Sequence, residues 1–294
     1  MIVSASYRTD IPAFYGAWFM ARLEAGFCRV ASPYGGPPGR VELSRDAVEG
    51  FVFWTRNLGP FLGPLDALRR RGFPFTVQFT LTGYPSALER AVIAPERALE
   101  QMRELAARYG PRVAVWRYDP ILISDLTPAA SHAERFAHFA DRLQGAVDEV
   151  VISFAQIYRK TRRNLDAAAR EFDFSWRDPG DEEKRALATE LAALARARGL
   201  RLTICAQPDY LVPGLDAAHC IDGARLSDIA GRAIEAPIKG NRPGCLCAES
   251  RDIGAYDSCT QGCVYCYAVA SRTTAKRRLA AHDPDAEFLI EGKA

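Results

Sequence analysis

Short apolar runs alternate with amphipathic helical stretches along the chain, and that alternation predicts a series of β-α units. The first unit is Ile2 to Ser6, a polar loop Tyr7-Arg8-Thr9-Asp10, and a helix. Asp10 suits the N-cap and Pro12 the first turn; Phe14, Trp18 and Leu23 mark the apolar face, and Gly26 ends it. The second is Phe51 to Trp54, then Thr55-Arg56-Asn57 and a short helix stopping near Gly72. The third is Phe75 to Thr82, with a helix from Pro95 that carries Leu99, Met102, Ala106 and Tyr109 at helical spacing. The fourth is Val113 to Trp116, then Arg117-Tyr118-Asp119-Pro120 and a helix with Phe136, Phe139, Ala140 and Leu143. The fifth, Val150 to Phe154, leads into a long polar loop through Asn164. The sixth, Leu202 to Ala206, follows a helix with Leu187, Leu191 and Leu194 that Gly199 terminates. Two weaker units are Cys220-Ile221 with a helix over Leu226 to Ile234, and Ile253 to Tyr256 with a helix over Tyr267 to Ala281. Six to eight such units predict an α/β fold of the (β/α) TIM-type barrel kind, one domain over residues 1–294. The Gly/Pro-rich segments 33–42 and 235–252 read as loops within it.

Composition adds exclusions. The 294 residues carry 48% hydrophobic and 25% charged positions, as in an ordinary globular protein. No apolar stretch reaches the ~18 residues of a spanning helix, so no membrane partner is expected. The opening MIVSASYRTD lacks a basic segment followed by an apolar core, which predicts a cytoplasmic protein. A formal net charge of +2 excludes a strongly basic nucleic-acid coat. The basic run Tyr158-Arg159-Lys160-Thr161-Arg162-Arg163-Asn164 leaves nucleic acid open, since phosphate on a small molecule explains it equally well. Arg69-Arg70-Arg71 and Lys276-Arg277-Arg278 sit where helix C-termini favour solvated cations.

Each apolar run ends in polar chemistry, and in a barrel the strand C-termini form the active face. Arg8, Asp10, Arg56, Arg117 and Asp119 are the candidate catalytic residues, and Thr55, Asn57, Gln78, Thr80, Tyr158 and Lys160 the candidate cofactor-binding ones. A ring of guanidinium and carboxylate groups needs mutual pairing or a polar ligand, which points to a polar, anionic substrate. His132 and His138 lie on a helix and read as structural, and Cys28 as a small buried hydrophobe.

Five of the eight cysteines lie between Cys245 and Cys266, a pattern of metal binding in a reducing compartment. Cys259, Cys263 and Cys266 form C-x3-C-x2-C, able to hold three irons of a [4Fe–4S] cluster, with Gly262 letting the backbone curl past it. Zinc fits this spacing less well. The fourth iron then has no ligand from this loop and is open to substrate or cofactor. Cys245 and Cys247 either supply a fourth thiolate, join Cys220 or Cys205 on a second metal site, or stay as plain thiols.

The motif resembles that of the radical S-adenosylmethionine enzymes, with Tyr265 as the aromatic residue before the last cysteine, and the run Gly262 to Ala268 looks like the spore photoproduct lyase type. That superfamily places the motif on its first barrel strand; here it follows the last, which a circular permutation of a closed barrel accommodates. The whole chain resembles the uncharacterised family "domain of unknown function 1848" through Arg8 to Pro12, Phe53 to Asn57, Gln78 to Tyr84, Trp116 to Pro120 and the cysteine block. The resemblance to radical enzymes implies a C-terminal iron–sulfur segment over 235–281, S-adenosylmethionine as cofactor, and a 5′-deoxyadenosyl radical that abstracts hydrogen from a small-molecule or nucleotide-like substrate. It also implies an electron donor such as flavodoxin or ferredoxin. Two alternatives stay open: a fully thiolate-ligated cluster for electron transfer or structure, and a non-redox lyase or hydrolase with iron as Lewis acid.

Overall fold

The computed structural model describes residues 1–32 and 35–291. Twelve strands and nine α-helices are assigned among them. The strands are β1 (Ile2–Ala5), β2 (Phe27–Val30), β3 (Gly39–Glu42), β4 (Gly50–Thr55), β5 (Phe75–Thr80), β6 (Ala114–Ile121), β7 (Ile123–Ser124), β8 (Glu149–Phe154), β9 (Trp176–Arg177), β10 (Arg201–Ile204), β11 (Leu215–Ala217) and β12 (Ser250–Asp252). The helices are α1 (Ile11–Phe14), α2 (Gly16–Ala25), α3 (Leu62–Arg70), α4 (Pro95–Tyr109), α5 (Ala129–Leu143), α6 (Arg159–Phe172), α7 (Asp181–Arg196), α8 (Gly223–Ala230) and α9 (Arg272–Ala280).

Eight strands form one all-parallel sheet in the order β11-β10-β8-β6-β5-β4-β1-β12. The expected α/β class therefore stands, and the C-terminal strand β12 lies beside the N-terminal β1, with Ser4 opposite Asp252. Among the described residues no ladder joins β11 to β12. In the chain between them, Ala248 N donates to the Ile221 carbonyl at 2.9 Å. No described helix is long and apolar enough to cross a membrane.

Both faces of the sheet are covered, as parallel sheets require. Val3, Phe51, Phe53, Phe75, Val77, Trp116 and Ile152 pack with Trp18, Phe19, Leu99, Met102, Phe136 and Leu191 from the helices. The alternate positions Ile2, Val52, Val115 and Val151 form a second cluster with Ile221, Leu226 and Ile234, from α8 and its flanking chain. Strand side chains alternate faces with period two, so this register decides what lies further along. Ser4, Trp54, Gln78 and Arg117 follow those apolar positions by two residues or share their parity. They therefore share the second face, nearer the strand C-termini, where the sheet turns from apolar to polar.

Several expected boundaries shift. The predicted first helix is two, α1 and α2, though Asp10 caps it as expected, accepting from Ala13 N at 3.0 Å, and Gly26 ends it at φ +78°. The polar loop after β8 is short: α6 already starts at Arg159, and its buried face is only Thr161, Leu165 and Ala168, which leaves little apolar signal. The seventh strand is Leu215–Ala217 rather than Cys220-Ile221, and its helix is Gly223–Ala230, capped by Asp222. The eighth is Ser250–Asp252 rather than Ile253 to Tyr256, and Tyr267 to Ser271 stays irregular before α9. Of the expected loop 33–42, Pro33 and Tyr34 lie outside the described residues, while Gly39–Glu42 is a strand pairing antiparallel with β2.

Candidate functional site

The segment between β12 and α9 carries the cysteine triplet and is tied to four other parts of the molecule. Ile253 N donates to Ser4 O at 3.0 Å, continuing the β1–β12 ladder. Ala91 N donates to Gln261 O at 2.9 Å and Val264 N to Leu88 O at 3.0 Å, so residues 261–264 run against residues 88–91. Lys160 and Arg163 of α6 donate to the carbonyls of Tyr267 and Ala270 at 3.2 and 2.8 Å. The Tyr15 hydroxyl donates to Ser258 O at 2.8 Å. Gly262 has φ +76°, and a Cβ there would meet Arg272 Nε at 2.8 Å and Arg90 Cβ at 3.1 Å. The tight turn inside the triplet thus needs glycine, for the backbone and for the close neighbours.

Cys259, Cys263 and Cys266 are half-buried and close enough on this turn to act on one another electrostatically. Burial, with Asp10 and the other two cysteines nearby, holds the Cys259 thiol well above its usual range, and burial pushes Cys263 up to about 12. Among the described residues no three His, Cys, Asp or Glu side chains already stand at metal-ligand geometry. The donor set itself is nevertheless the right chemistry for iron–sulfur ligation: three thiols on one glycine-turned loop.

Two buried polar groups brace that loop. Asp10 accepts from Thr55 Oγ1 at 2.7 Å, Arg56 N at 2.9 Å and Gln261 Nε2 at 2.9 Å, joining the ends of β1 and β4 to the triplet. Burial raises the pKa of this carboxyl despite those donors. Arg56 donates to Glu89 Oε1 at 2.8 Å and to the Tyr265 hydroxyl at 2.6 Å, and Tyr265 also bonds Glu89. Burial works against the Arg56 charge, but Cys263, Glu89 and Tyr265 outweigh it and raise its pKa well above the ordinary value. Arg56, Thr80, Thr82, Tyr84 and Glu89 also line a cavity of about 180 Å³.

The other candidates go elsewhere. Arg8 is clamped on Asp252, with Nε to Oδ1 at 2.9 Å, and Asp252 also accepts from Ser4, Ser6 and the Tyr7 and Gly254 amides. Asn57 takes the Gly59 amide and Gln101 on its Oδ1, and Thr55 takes the Asn57 amide, so both shape the loop after β4. Tyr158 is exposed and bonds Gln156. Arg117 is paired with Asp119, donates to Gln78 Oε1 at 3.1 Å and Cys220 Sγ at 3.1 Å, and lies over the Trp54 ring at 4.9 Å. Ser153 bonds Asp119 from β8.

Cys245 and Cys247 belong to this second group. Cys205 and Cys220 lie Sγ to Sγ at 3.5 Å, and Cys247 interacts with Cys220 on one side and Cys245 on the other. The Cys247 contact brings the Cys245 thiol down to about 6. By their direct partners the rim residues group around the triplet (Asp10, Arg56, Thr55) and around the quartet (Gln78, Arg117, Asp119). The three rim guanidiniums have carboxylate partners, Asp252, Glu89 and Asp119. Mutual pairing thus accounts for the ring of charge, and the case for an anionic ligand loses its free cations. Sequence reasoning missed Glu89, Asp252 and Arg242, which donates to Cys205 Sγ at 3.6 Å. None sits beside an apolar run in a way that marks it; only their partners do.

Neither the curated proteins nor the solved structures contain a match to this chain. The family described as Domain of unknown function (DUF1848) matches residues 2–268, from β1 through the triplet.

Proposed function

This chain belongs to the DUF1848 family, and from that premise we propose that it is an iron–sulfur enzyme of the radical S-adenosylmethionine type. The observation that carries the reading is the separation of the cysteines. Cys259, Cys263 and Cys266 share one loop, while Cys247 interacts with Cys220 and Cys245, and Cys245 with Cys247 and Cys205. A cluster on the triplet would have three thiolates and one iron free for S-adenosylmethionine. When bound, that pair supplies a carbon radical after one-electron reduction, with a flavodoxin- or ferredoxin-like donor in the cytoplasm. The sheet is best read as a permuted barrel, with β12 in the position the superfamily gives its first strand, as the β1–β12 pairing supports.

The chain's own residues then have defined tasks. The thiolates of Cys259, Cys263 and Cys266 hold the cluster. Asp10 fixes the loop through Gln261, and Glu89 and Arg56 fix it through the Tyr265 hydroxyl, so these act as positioning residues. Lys160 anchors the segment after Cys266. Burial of Tyr265, Val264, Tyr84 and Leu88 around the loop keeps water from one side of it. The substrate is a small polar or nucleotide-like molecule that meets the polar face of the sheet near Trp54.

Anaerobic reconstitution should give ~4 irons per chain beyond any other site. Cys259→Ala, Cys263→Ala and Cys266→Ala together should abolish them, whereas Cys245→Ala with Cys247→Ala should not. S-adenosylmethionine should perturb the reduced electron paramagnetic resonance spectrum, and dithionite should then yield 5′-deoxyadenosine. Full iron in the triple variant, or an unresponsive spectrum together with cluster loss in the double variant, refutes the reading.

A further inference from the structure

We propose that Cys205, Cys220, Cys245 and Cys247 form a second metal site, a tetrathiolate centre for a single zinc-class divalent ion, which joins the two edges of the sheet. Cys205 follows β10, Cys220 follows β11, and Cys245 and Cys247 lie in the loop leading into β12. These three segments meet where no ladder closes the sheet.

The spacing suits one ion rather than a cluster. Thiolates at two corners of a tetrahedron, each ~2.3 Å from zinc, stand about 3.8 Å apart. Cys205 and Cys220 stand at 3.5 Å. A four-iron cluster spreads its thiolates over separate irons, whereas a single ion gathers them on one atom. Cys247 interacts with both Cys220 and Cys245, and its sulfur lies against the amide of Ile221 next to Cys220, which brings all four cysteines to one neighbourhood that a bound ion would draw together.

The surroundings suit bound thiolates rather than loose thiols. Four thiolates on a divalent ion leave excess negative charge, and two guanidiniums reach this group. Arg117 Nη1 points at Cys220 Sγ at 3.1 Å, and Arg242 Nη2 at Cys205 Sγ at 3.6 Å. The Ile221 amide points at Cys247 Sγ at 3.4 Å. Such donors orient metal-bound ligands and raise their affinity. Arg117 is held in turn by Asp119 and Gln78, and Arg242 by Gln156 at 3.0 Å.

The loop bearing Cys245 and Cys247 is built for one shape. Lys239 N donates to Cys247 O at 2.9 Å and Cys245 N to Arg242 O at 3.1 Å. A Cβ on Gly240 would lie 2.1 Å from the Cys245 carbonyl oxygen, and one on Gly244, at φ +74°, 2.9 Å from Pro208 Cδ. This Gly/Pro-rich stretch is therefore packed in place, with Cys247 beside Cys220 and Cys245 beside Cys247.

The test uses the full chain, reduced, stripped of metal and incubated anaerobically with Zn²⁺ alone, then desalted. Wild type and the Cys259→Ser/Cys263→Ser/Cys266→Ser variant should each retain about one zinc per chain. The Cys205→Ser/Cys220→Ser/Cys245→Ser/Cys247→Ser variant should lose that equivalent while keeping triplet-bound iron after reconstitution. Co²⁺ should give thiolate-to-metal charge-transfer absorbance in the first two proteins. If a multiple variant fails to fold, Cys245→Ser in the wild-type chain decides the matter: its zinc should be released at least tenfold more readily to a chelator. Retention of wild-type zinc in the quartet variant, its loss in the triplet variant, or unchanged chelator sensitivity in Cys245→Ser overturns the proposal. Failure of the triplet to take up iron would leave the zinc count unchanged, so the two readings fall separately.

Discussion

The two cysteine clusters hold similar chemistry but are assembled in different ways. The triplet comes from one loop of eight residues, Cys259 to Cys266, turned by a single glycine. The quartet comes from three separate segments, brought together by the sheet and one packed loop. The local cluster relies on distant carboxylates, Asp10 and Glu89, to hold it in place. The dispersed cluster relies on guanidiniums, Arg117 and Arg242, directed at sulfur itself. Local sequence thus determines which thiols converge in the first case, and tertiary pairing determines it in the second.

That contrast can be broken most strongly at Glu89. Glu89→Leu leaves the buried Arg56 guanidinium without its carboxylate, and removing one partner of a buried pair costs about 3–5 kcal/mol. Denaturant unfolding should show that loss, and Arg56→Met in the same chain should recover most of it. Asp119→Leu, at the quartet, should cost less, because the Asp119 side chain is 16% exposed against 2% for Glu89. Equal losses at the two positions would erase the distinction.

Acid should act on the triplet side. His132 is buried, hydrogen-bonded to the Tyr118 hydroxyl at 2.9 Å, and stacks edge-on to Tyr84, which packs edge-on to Tyr265. Burial lowers its pKa from 6.5 to about 4. The unfolded chain binds the proton first as pH falls, so stability present above pH 6.5 is lost as pH falls toward 4, by about 3 kcal/mol. His132→Gln should flatten that slope of unfolding free energy against pH; an unchanged slope would assign it to other groups. The smallest effect expected is at Gly262. Gly262→Ala places a side chain at positive φ, about 1–2 kcal/mol, with Arg272 and Arg90 having to yield. Thermal melts should register that loss, and bound zinc should stay the same; a fall in zinc would show that the clusters are mechanically linked.

Much of this was legible in the residues. The apolar runs located β1, β4, β5, β6, β8 and β10, and Asp10 and Gly26 marked helix ends, because strand burial and capping are local demands. The α/β class followed. The triplet was legible since its spacing alone gathers three thiols. The short strands β11 and β12 were displaced by a few residues, since Leu215–Ala217 and Ser250–Asp252 carry little apolar signal of their own. The pairings of Arg8 with Asp252 and Arg56 with Glu89 were not legible, because each partner comes from a different strand end or loop. The arginines were read as ligands for something outside the chain, and the residues that satisfy them are inside it.

The neighbouring position of β1 and β12 also governs when the molecule can be completed during its synthesis. Ser4 and Asp252 are 248 residues apart, yet share a hydrogen bond at 2.8 Å. Closing so long a loop costs about 5 kcal/mol on logarithmic scaling. A ribosome therefore releases β1 long before its outer neighbour exists, and β1 pairs first with β4 alone. The carboxylate that holds Arg8 and the loop that carries Cys259, Cys263 and Cys266 emerge together, late. The nascent sheet must accordingly keep one edge unpaired until then.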